Sequence, residues 1–175
     1  MTWDCRPLRE ARVTVRLLAA HEWPLWRDVS LQSLAESPDA FRPTLAESKD
    51  QPEEFWRGAV APTVEHERCN LWIAVNGDDP VGKLFARIDE ELTTVYMGAL
   101  WVAPDLRGAG IGTRLMQAAE EWGKDSGVTR SELWVTEANQ AAVHFYEYLD
   151  YLPTYDTQVL REGSKLVVRR LQKTL

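Results

Sequence analysis

The stretch Arg107-Gly-Ala-Gly-Ile-Gly-Thr-Arg114 is the most informative segment of this chain of 175 residues. A strand-like run over 97–102 leads into it, and a helix-like run follows it. Glycine has no Cβ, so glycines at alternate positions let the backbone approach a ligand closely. The first turn of a helix leaves N–H groups unpaired and carries a partial positive charge. This combination predicts an anion site, most simply for a diphosphate, to which Arg107 adds a full charge.

The common nucleotide fingerprints do not match this stretch. The dinucleotide pattern G-x-G-x-x-G requires its third glycine one residue later than Gly112, and no acidic residue follows at the expected distance. The mononucleotide loop requires Gly-Lys-Ser/Thr, whereas Thr113 and Arg114 follow Gly112 without a lysine. Glycine spacing therefore disfavours a nucleotide-binding module.

Two segments, in this order, resemble the GNAT family of N-acetyltransferases. Arg107-x-x-Gly110-x-Gly112, after a strand ending in Val-x-Pro, is similar to the family's acetyl-coenzyme A loop. The run 133–151, with Asn139 seven residues before Tyr146, is similar to the family's fifth strand and fourth helix. The resemblance implies an α/β (α+β) fold. In that fold a mixed, mostly antiparallel, twisted sheet of six to seven strands is flanked by about four helices, in one acetyltransferase domain over 1–175.

The resemblance also implies roles for particular residues. In the family, the fourth strand bulges and splays away from the fifth, and the pantetheine arm of acetyl-coenzyme A, the co-substrate, pairs with the freed backbone. Tyr146 matches the family's general-acid tyrosine, which protonates the leaving thiolate. A phenol has a pKa of about 10, so it stays protonated at neutral pH and can donate. The cofactor-binding residues carried over in this way are Leu100, Trp101, Val102, Arg107, Gly108, Ala109, Gly110, Ile111, Gly112, Thr113, Asn139 and Tyr146.

A base that deprotonates the attacking amine is missing from the sequence pattern. Family members carry a glutamate at one of two strand positions, which here hold Gly98 and Trp134. Neither residue can take a proton. Glu137 and Glu91 are candidate carboxylates, although each is typical of a solvated surface position. Deprotonation through water stays open as an alternative.

The acceptor side, which is the part of the site that binds the acceptor amine, should be built from the first helices and the last hairpin. Trp26, Phe41 and Glu137 are the candidate substrate-binding residues. We expect direct attack in a ternary complex, on a primary amine of a small molecule. A protein N-terminus or lysine is the alternative acceptor, and a non-catalytic acyl-coenzyme A-binding module is the alternative to an enzyme.

Composition and charge exclude several other classes. A formal net charge of −7 disfavours nucleic acid as a partner. Two cysteines, Cys5 and Cys69, form no framework, and three scattered histidines predict no metal site. The chain has no secretory signal and no apolar run of membrane-spanning length, so we expect a cytoplasmic protein without a membrane contact. A homodimer is possible.

Periodicity and turn residues predict the elements. Asn139 is a predicted helix N-cap. Asp150 stands where the family often has a glycine, and aspartate tolerates the left-handed backbone of such a turn. The predicted strands are 12–18, 70–75, 81–88, 92–102, 132–136, 153–160 and 164–171. The predicted helices are 22–37, a short one from Pro52 to Ala61-Pro62, 112–124 and one that follows Asn139.

Overall fold

A computed structural model of the chain describes residues 13–175. Arg12, the first residue of the predicted first strand, and Cys5 lie outside this range. Seven strands form one sheet in the order β1-β2-β3-β4-β5-β7-β6. Neighbouring strands are antiparallel except for β4 and β5, which are parallel. The strands are β1 (Val13–Leu17), β2 (Cys69–Asn76), β3 (Asp79–Ile88), β4 (Thr94–Val102), β5 (Arg130–Thr136), β6 (Leu152–Val159) and β7 (Val167–Thr174).

Helices cover both faces of this sheet. The helices are α1 (Trp23–Glu36), α2 (Leu45–Ser48), α3 (Glu53–Glu65), α4 (Ile111–Asp125) and α5 (Gln140–Tyr148). One face carries α4 and α5, and the other carries α1 and α3. The predicted mixed, mostly antiparallel sheet with flanking helices is therefore confirmed, with seven strands and five helices among residues 13–175.

Each face of the sheet has its own apolar core. On the α4 face, Leu115 and Met116 are buried against strand residues such as Leu84. On the α1 face, Val29 of α1 and Val60 of α3 are buried in a cluster with Trp101 of β4. Burial of both faces explains why β2 and β3 are nearly continuous apolar runs rather than alternating ones.

Several local predictions are confirmed. The turn predicted at 76–80 is a two-residue hairpin loop in which Gly77 has a φ of 63°. Asn139 caps α5 through its side chain, which accepts a hydrogen bond of 3.1 Å from the Ala142 amide. Asp150 has the left-handed conformation expected of a residue in a glycine position, with a φ of 67°. None of the structured residues from 13 to 175 forms a helix long and apolar enough to cross a membrane.

The predicted end of the helix after Pro52 is wrong. Helix α3 continues through Pro62 to Glu65. Proline has a helical φ and removes one N–H donor, so Gly58, four residues earlier, loses an intrahelical partner for its carbonyl. Gly58 is exposed, so water can satisfy that carbonyl. The next turn is reinforced by the Thr63 hydroxyl, which donates to the Ala59 carbonyl at 2.7 Å.

Two further elements differ from the prediction. Helix α2 was not predicted, although Thr44 and Glu47 form the reciprocal hydrogen bonds of a capping box at its start. The last strand begins at Val167 rather than residue 164, because the turn around Gly163, with a φ of 74°, extends further.

Candidate active site

The site lies where strands β4 and β5 separate. They pair only from Thr94 with Arg130 to Met97 with Leu133, and both continue beyond this point. The cause is a bulge in β4: Ala99 has a φ of 58°, and the register with β3 shifts there. Beyond Met97, the edge of β4 that faces β5 pairs with no strand among residues 13–175. This is the separation that the family resemblance implies.

A cleft of about 590 Å³ opens from this gap to the glycine-rich loop. Its walls come from the end of β4, the loop, the start of α4 and one side of α5. They include Leu100, Trp101, Val102, Arg107, Gly108, Gly110, Ile111, Gly112, Thr113, Asn139 and Tyr146. A narrower opening of about 80 Å³ lies between the two strands and shares Phe41, Leu100, Asn139 and Tyr146 with the cleft. The structure thus brings together most of the residues that the sequence assigned to the cofactor.

The loop before α4 presents a run of free backbone amides. Gly108 and Gly110 have φ values of 81° and 77°, which aim successive N–H groups outward. The Arg107 amide already donates to the Pro104 carbonyl at 3.3 Å, so the free run begins at Gly108. No acceptor within the described part of the chain receives a hydrogen bond from the amides of 108–113, Ala109 included. This is the local geometry of an anion site at a helix N-terminus.

Glu36, at the end of α1, connects the loop to β4. Its Oε2 accepts from Arg107 Nη2 at 2.7 Å and from the Trp101 indole N–H at 2.9 Å. The Ser37 hydroxyl donates to the same carboxylate. The Arg107 guanidinium, followed by these other donors, lowers the pKa of Glu36 to about 2. Because Arg107 Nε also donates to the Val102 carbonyl at 3.0 Å, its side chain is held against the end of β4.

Tyr146 projects from α5 into both openings. Its ring is 9% exposed and packs edge-on against Tyr151, with ring centroids 6.1 Å apart. Burial raises the pKa of its phenol above the ordinary value of 10. Among residues 13–175 its hydroxyl makes no hydrogen bond. The phenol is therefore a protonated donor with a free hydrogen at the junction of the two openings.

The predicted acceptor residues are dispersed. Phe41 lines both openings, whereas Trp26 of α1 lines neither. Glu137 also lines neither opening, and its carboxylate is paired with Arg169 at 2.5 Å. Trp134, which is 39% exposed, lines the narrower opening together with Gly98.

Glu91, the other candidate base, is exposed in the turn before β4. The openings lie beyond Met97, at the opposite end of the strand, so Glu91 cannot reach them. Around the openings, as elsewhere in 13–175, no group of three or more metal-ligating side chains occurs.

Sequence reasoning missed two residues at this site, Glu36 and Lys83. Lys83 of β3 is 5% exposed and donates to the Ser30 hydroxyl at 3.0 Å. A lysine inside the apolar run 81–88 was the available signal for a buried cation. Glu36 gave no signal, since its partners are 65 and 71 residues away.

Comparison with known proteins adds family information to this geometry. The model described as the acetyltransferase (GNAT) family matches residues 31–151. A mouse N-alpha-acetyltransferase 80 is 30% identical over 171 residues, which is 98% of this chain and 45% of that protein. A peptidyl-lysine N-acetyltransferase of Salmonella typhimurium is 37% identical over 90 residues, which is 51% of this chain and 54% of that protein. The chain spans from 30% to 54% of the length of the curated relatives it matches.

Solved structures share the fold. An acetyltransferase from Streptococcus pneumoniae superposes with a TM-score of 0.79 at 17% identity, covering 94% of this chain and all of that one. An N-acetyltransferase from Thermoplasma acidophilum, solved in complex with coenzyme A, has a TM-score of 0.70 at 15% identity and covers 93% of this chain and 99% of that one. At these identities the likeness concerns the fold alone.

We predict that Glu36→Gln weakens the fold at neutral pH but not at low pH. The folded-state pKa of Glu36 is about 2, below the ordinary 4.5, so its ionised form stabilises the protein above pH 4.5, and this contribution is lost as pH falls toward 2. The carboxylate is partly exposed, so we expect a loss of only about 1 kcal/mol at pH 7. Urea unfolding of the wild type and of Glu36→Gln from pH 7 to pH 2 measures this difference in the free energy of unfolding.

Glu91→Gln is the matched control, since this exposed carboxylate makes no hydrogen bond to the rest of 13–175. It should change the unfolding free energy by less than about 0.5 kcal/mol. A Glu36→Gln difference that stayed constant down to pH 2 would contradict the assigned ionic contacts.

Proposed function

The chain belongs to the acetyltransferase (GNAT) family, and we propose that it transfers an acetyl group from acetyl-coenzyme A to a primary amine by direct attack in a ternary complex. The observation that carries the proposal is the run of free amides at 108–113 beside the gap between β4 and β5. The free amides suit a diphosphate, and the gap between β4 and β5 suits an extended arm that contains amides. We propose that residues 1–175 act as one acetyltransferase domain.

The chain supplies two kinds of binding group for the co-substrate. The amides of Gly108 to Thr113 hold the diphosphate, since they point outward and lack protein acceptors in the described residues. The free edge of β4 at Leu100 and Val102 pairs with the pantetheine amides, which satisfies backbone groups that a neighbouring strand would otherwise satisfy. The thioester then lies near Asn139 and Tyr146.

Two chemical needs at the thioester are met by groups of this chain. A backbone N–H of β4 near Leu100 stabilises the carbonyl oxygen as it gains negative charge. Tyr146 donates its free phenolic hydrogen to the departing thiolate. Within 13–175, the residues that line the openings include no cysteine and no serine–histidine pair. The lining therefore favours direct attack over a covalent acetyl-enzyme intermediate.

We propose a small-molecule amine as the acceptor. The loop 37–44 narrows the acceptor side, because Arg161 Nη1 donates to the Phe41 carbonyl at 2.8 Å and the Thr136 hydroxyl donates to the Asp39 carbonyl at 2.7 Å. The opening of about 80 Å³ that remains suits a slim alkylamine better than a folded protein surface.

A polypeptide α-amine is the second candidate. The mouse N-alpha-acetyltransferase that matches 98% of this chain is the observation that favours it. A thiol-release assay with acetyl-coenzyme A and a panel of acceptors separates the two. The panel holds polyamines, amino sugars, amino acid derivatives and short peptides, the last with either the α-amine or the lysine amine blocked.

We expect small amines to give the highest kcat/KM. Preference for peptides with a free α-amine would establish the second candidate. Co-substrate binding without thiol release for any acceptor would leave a non-catalytic acyl-coenzyme A-binding module, and absence of binding would overturn the proposal.

We predict that Gly110→Asp weakens co-substrate binding more than Gly110→Asn does. Both side chains tolerate the left-handed backbone that Gly110 adopts, and no atom lies within 4 Å of a Cβ placed there. The two variants therefore differ mainly in a negative charge beside the diphosphate, worth about 1–3 kcal/mol, or roughly 5- to 150-fold in Kd. Calorimetric titration with acetyl-coenzyme A measures the ratio; equal Kd values would place the diphosphate elsewhere.

We predict that Tyr146→Phe lowers kcat on the order of 100-fold and leaves the Kd for acetyl-coenzyme A nearly unchanged. The hydroxyl has no acceptor in 13–175, so its removal leaves no protein group unpaired. Tyr155→Phe, on a fully exposed ring of β6, is the control and should have wild-type kinetics. An unchanged kcat in Tyr146→Phe would remove its role as the acid.

A further inference from the structure

The reaction needs a proton acceptor that the openings themselves do not provide. An ammonium group cannot attack a thioester until it loses a proton. Within 13–175, the residues that line the two openings include no aspartate, glutamate, histidine or lysine; their only ionisable side chains are Arg107, Tyr146 and Tyr148. Near pH 7 arginine stays protonated and tyrosine keeps its phenolic proton, so neither type of side chain accepts a proton there. The acceptor must come from just behind the lining.

Lys83 stands directly behind that lining. Its Nζ lies 5.1 Å from the centroid of the Phe41 ring and 5.3 Å from that of the Trp26 ring. Phe41 itself lines both openings. One aromatic side chain thus contacts the amine of Lys83 and also borders the space where the strands separate. An acceptor that displaces this ring would meet Nζ.

Lys83 also lies on the face of the sheet where Gly98 lacks a side chain. Gly98 pairs with Phe85, and a Cβ placed on Gly98 would point to Phe85 Cδ1 at 3.9 Å. Phe85 packs in the cluster on the α1 face. Since alternate residues of a strand share a face, Lys83 points to that same side, two residues along β3. The amine therefore approaches the acceptor side of the gap from the neighbouring strand.

No charge neutralises Lys83 in the described residues. The side chains that face its Nζ are Trp26 and Ser30 of α1 and Phe41, and its strand neighbours are Ile73 and Trp101. None of these titrates near neutral pH. The charged groups of α1 are engaged elsewhere, namely Arg27 with Asp28 and Glu36 with Arg107. Burial without a carboxylate lowers the pKa of Lys83 to about 7.

We propose that the neutral amine of Lys83 is the base that removes the proton from the acceptor amine as it attacks the thioester. In this step the acceptor nitrogen forms a bond to the carbonyl carbon, and the carbon–sulfur bond breaks. The proton from the acceptor nitrogen passes to Nζ, and the proton of Tyr146 passes to the thiolate. When the products leave, Lys83 releases its proton to water and the Tyr146 phenolate takes one proton back from water, so both side chains return to their starting states. This inference rests on the proposed acetyltransferase activity.

The pH dependence of kcat/KM tests the assignment with the best acceptor of the panel. In the wild type we expect log kcat/KM to rise through a limb near pH 7, because Lys83 must be neutral to accept a proton. In Lys83→Met, which is similar in length and apolar, that limb should disappear, and kcat/KM at pH 8 should fall on the order of 100-fold. The titration of the acceptor amine is common to both profiles and cancels in their ratio.

Two controls separate the base from a structural lysine. Lys83→Gln keeps a polar partner for Ser30 but cannot take the proton, so it should match Lys83→Met in both rate and profile. The Kd for acetyl-coenzyme A should stay close to wild type in both variants. Unfolding at several pH values offers a readout without catalysis: removing a buried ammonium should stabilise Lys83→Met most below pH 7, with the gain shrinking as pH rises toward 10.

The outcomes distinguish a failure of the proposed acetyltransferase activity from a failure of the role of Lys83. Wild-type protein without thiol release for any amine overturns the proposed function. An active wild type whose pH profile superimposes on that of Lys83→Met overturns only the role of Lys83. A wild-type limb near pH 7 that is lost in both variants supports the role.

Discussion

A separated pair of strands is the constraint on which the rest of this structure depends. The bulge at Ala99 turns β4 away from β5, and this leaves a backbone edge without a partner strand. Unpaired N–H and C=O groups are costly when they are buried, so such an edge requires water or a ligand with amides of its own. The amides of 108–113 likewise lack acceptors among the described residues, and an anion would supply them. One extended ligand with its own amides and a diphosphate, as in the proposed function, would meet both requirements.

Glu36 connects the two halves of this arrangement. It ends helix α1, whose other residues cover the acceptor face, and its carboxylate accepts from Trp101 of β4 and from Arg107 of the anion loop. Arg107 in turn donates to the carbonyl of Val102. A ligand that attracts Arg107 therefore competes with Glu36 for the same guanidinium. The loop 37–44 directly follows Glu36. The contacts of Glu36 therefore connect the anion loop to the proposed acceptor side.

The sequence was sufficient for the parts of the site that depend on local backbone geometry. The glycines at 108 and 110, the cap at Asn139 and the left-handed turn at Asp150 are conformational requirements that particular residue types reveal. Pro62 shows the limit of such rules, since an exposed helix tolerates the loss of one hydrogen bond. Glu36 and Lys83 were not predicted because their roles depend on partners 53 to 71 residues away, brought together only by the packing of α1 on the sheet.

The surroundings of Lys83 explain why the proposed base can be a lysine rather than a carboxylate. An exposed glutamate has a pKa near 4, so it is a weak base toward an alkylammonium group. A lysine reaches a pKa near neutrality when burial destabilises its charged form and no carboxylate restores it. Trp26 and Phe41 offer their ring faces and Ser30 one hydroxyl, which is less than water would provide. The same desolvation that makes Lys83 costly for folding makes its neutral amine available near pH 7, beside a strand position that holds only Gly98.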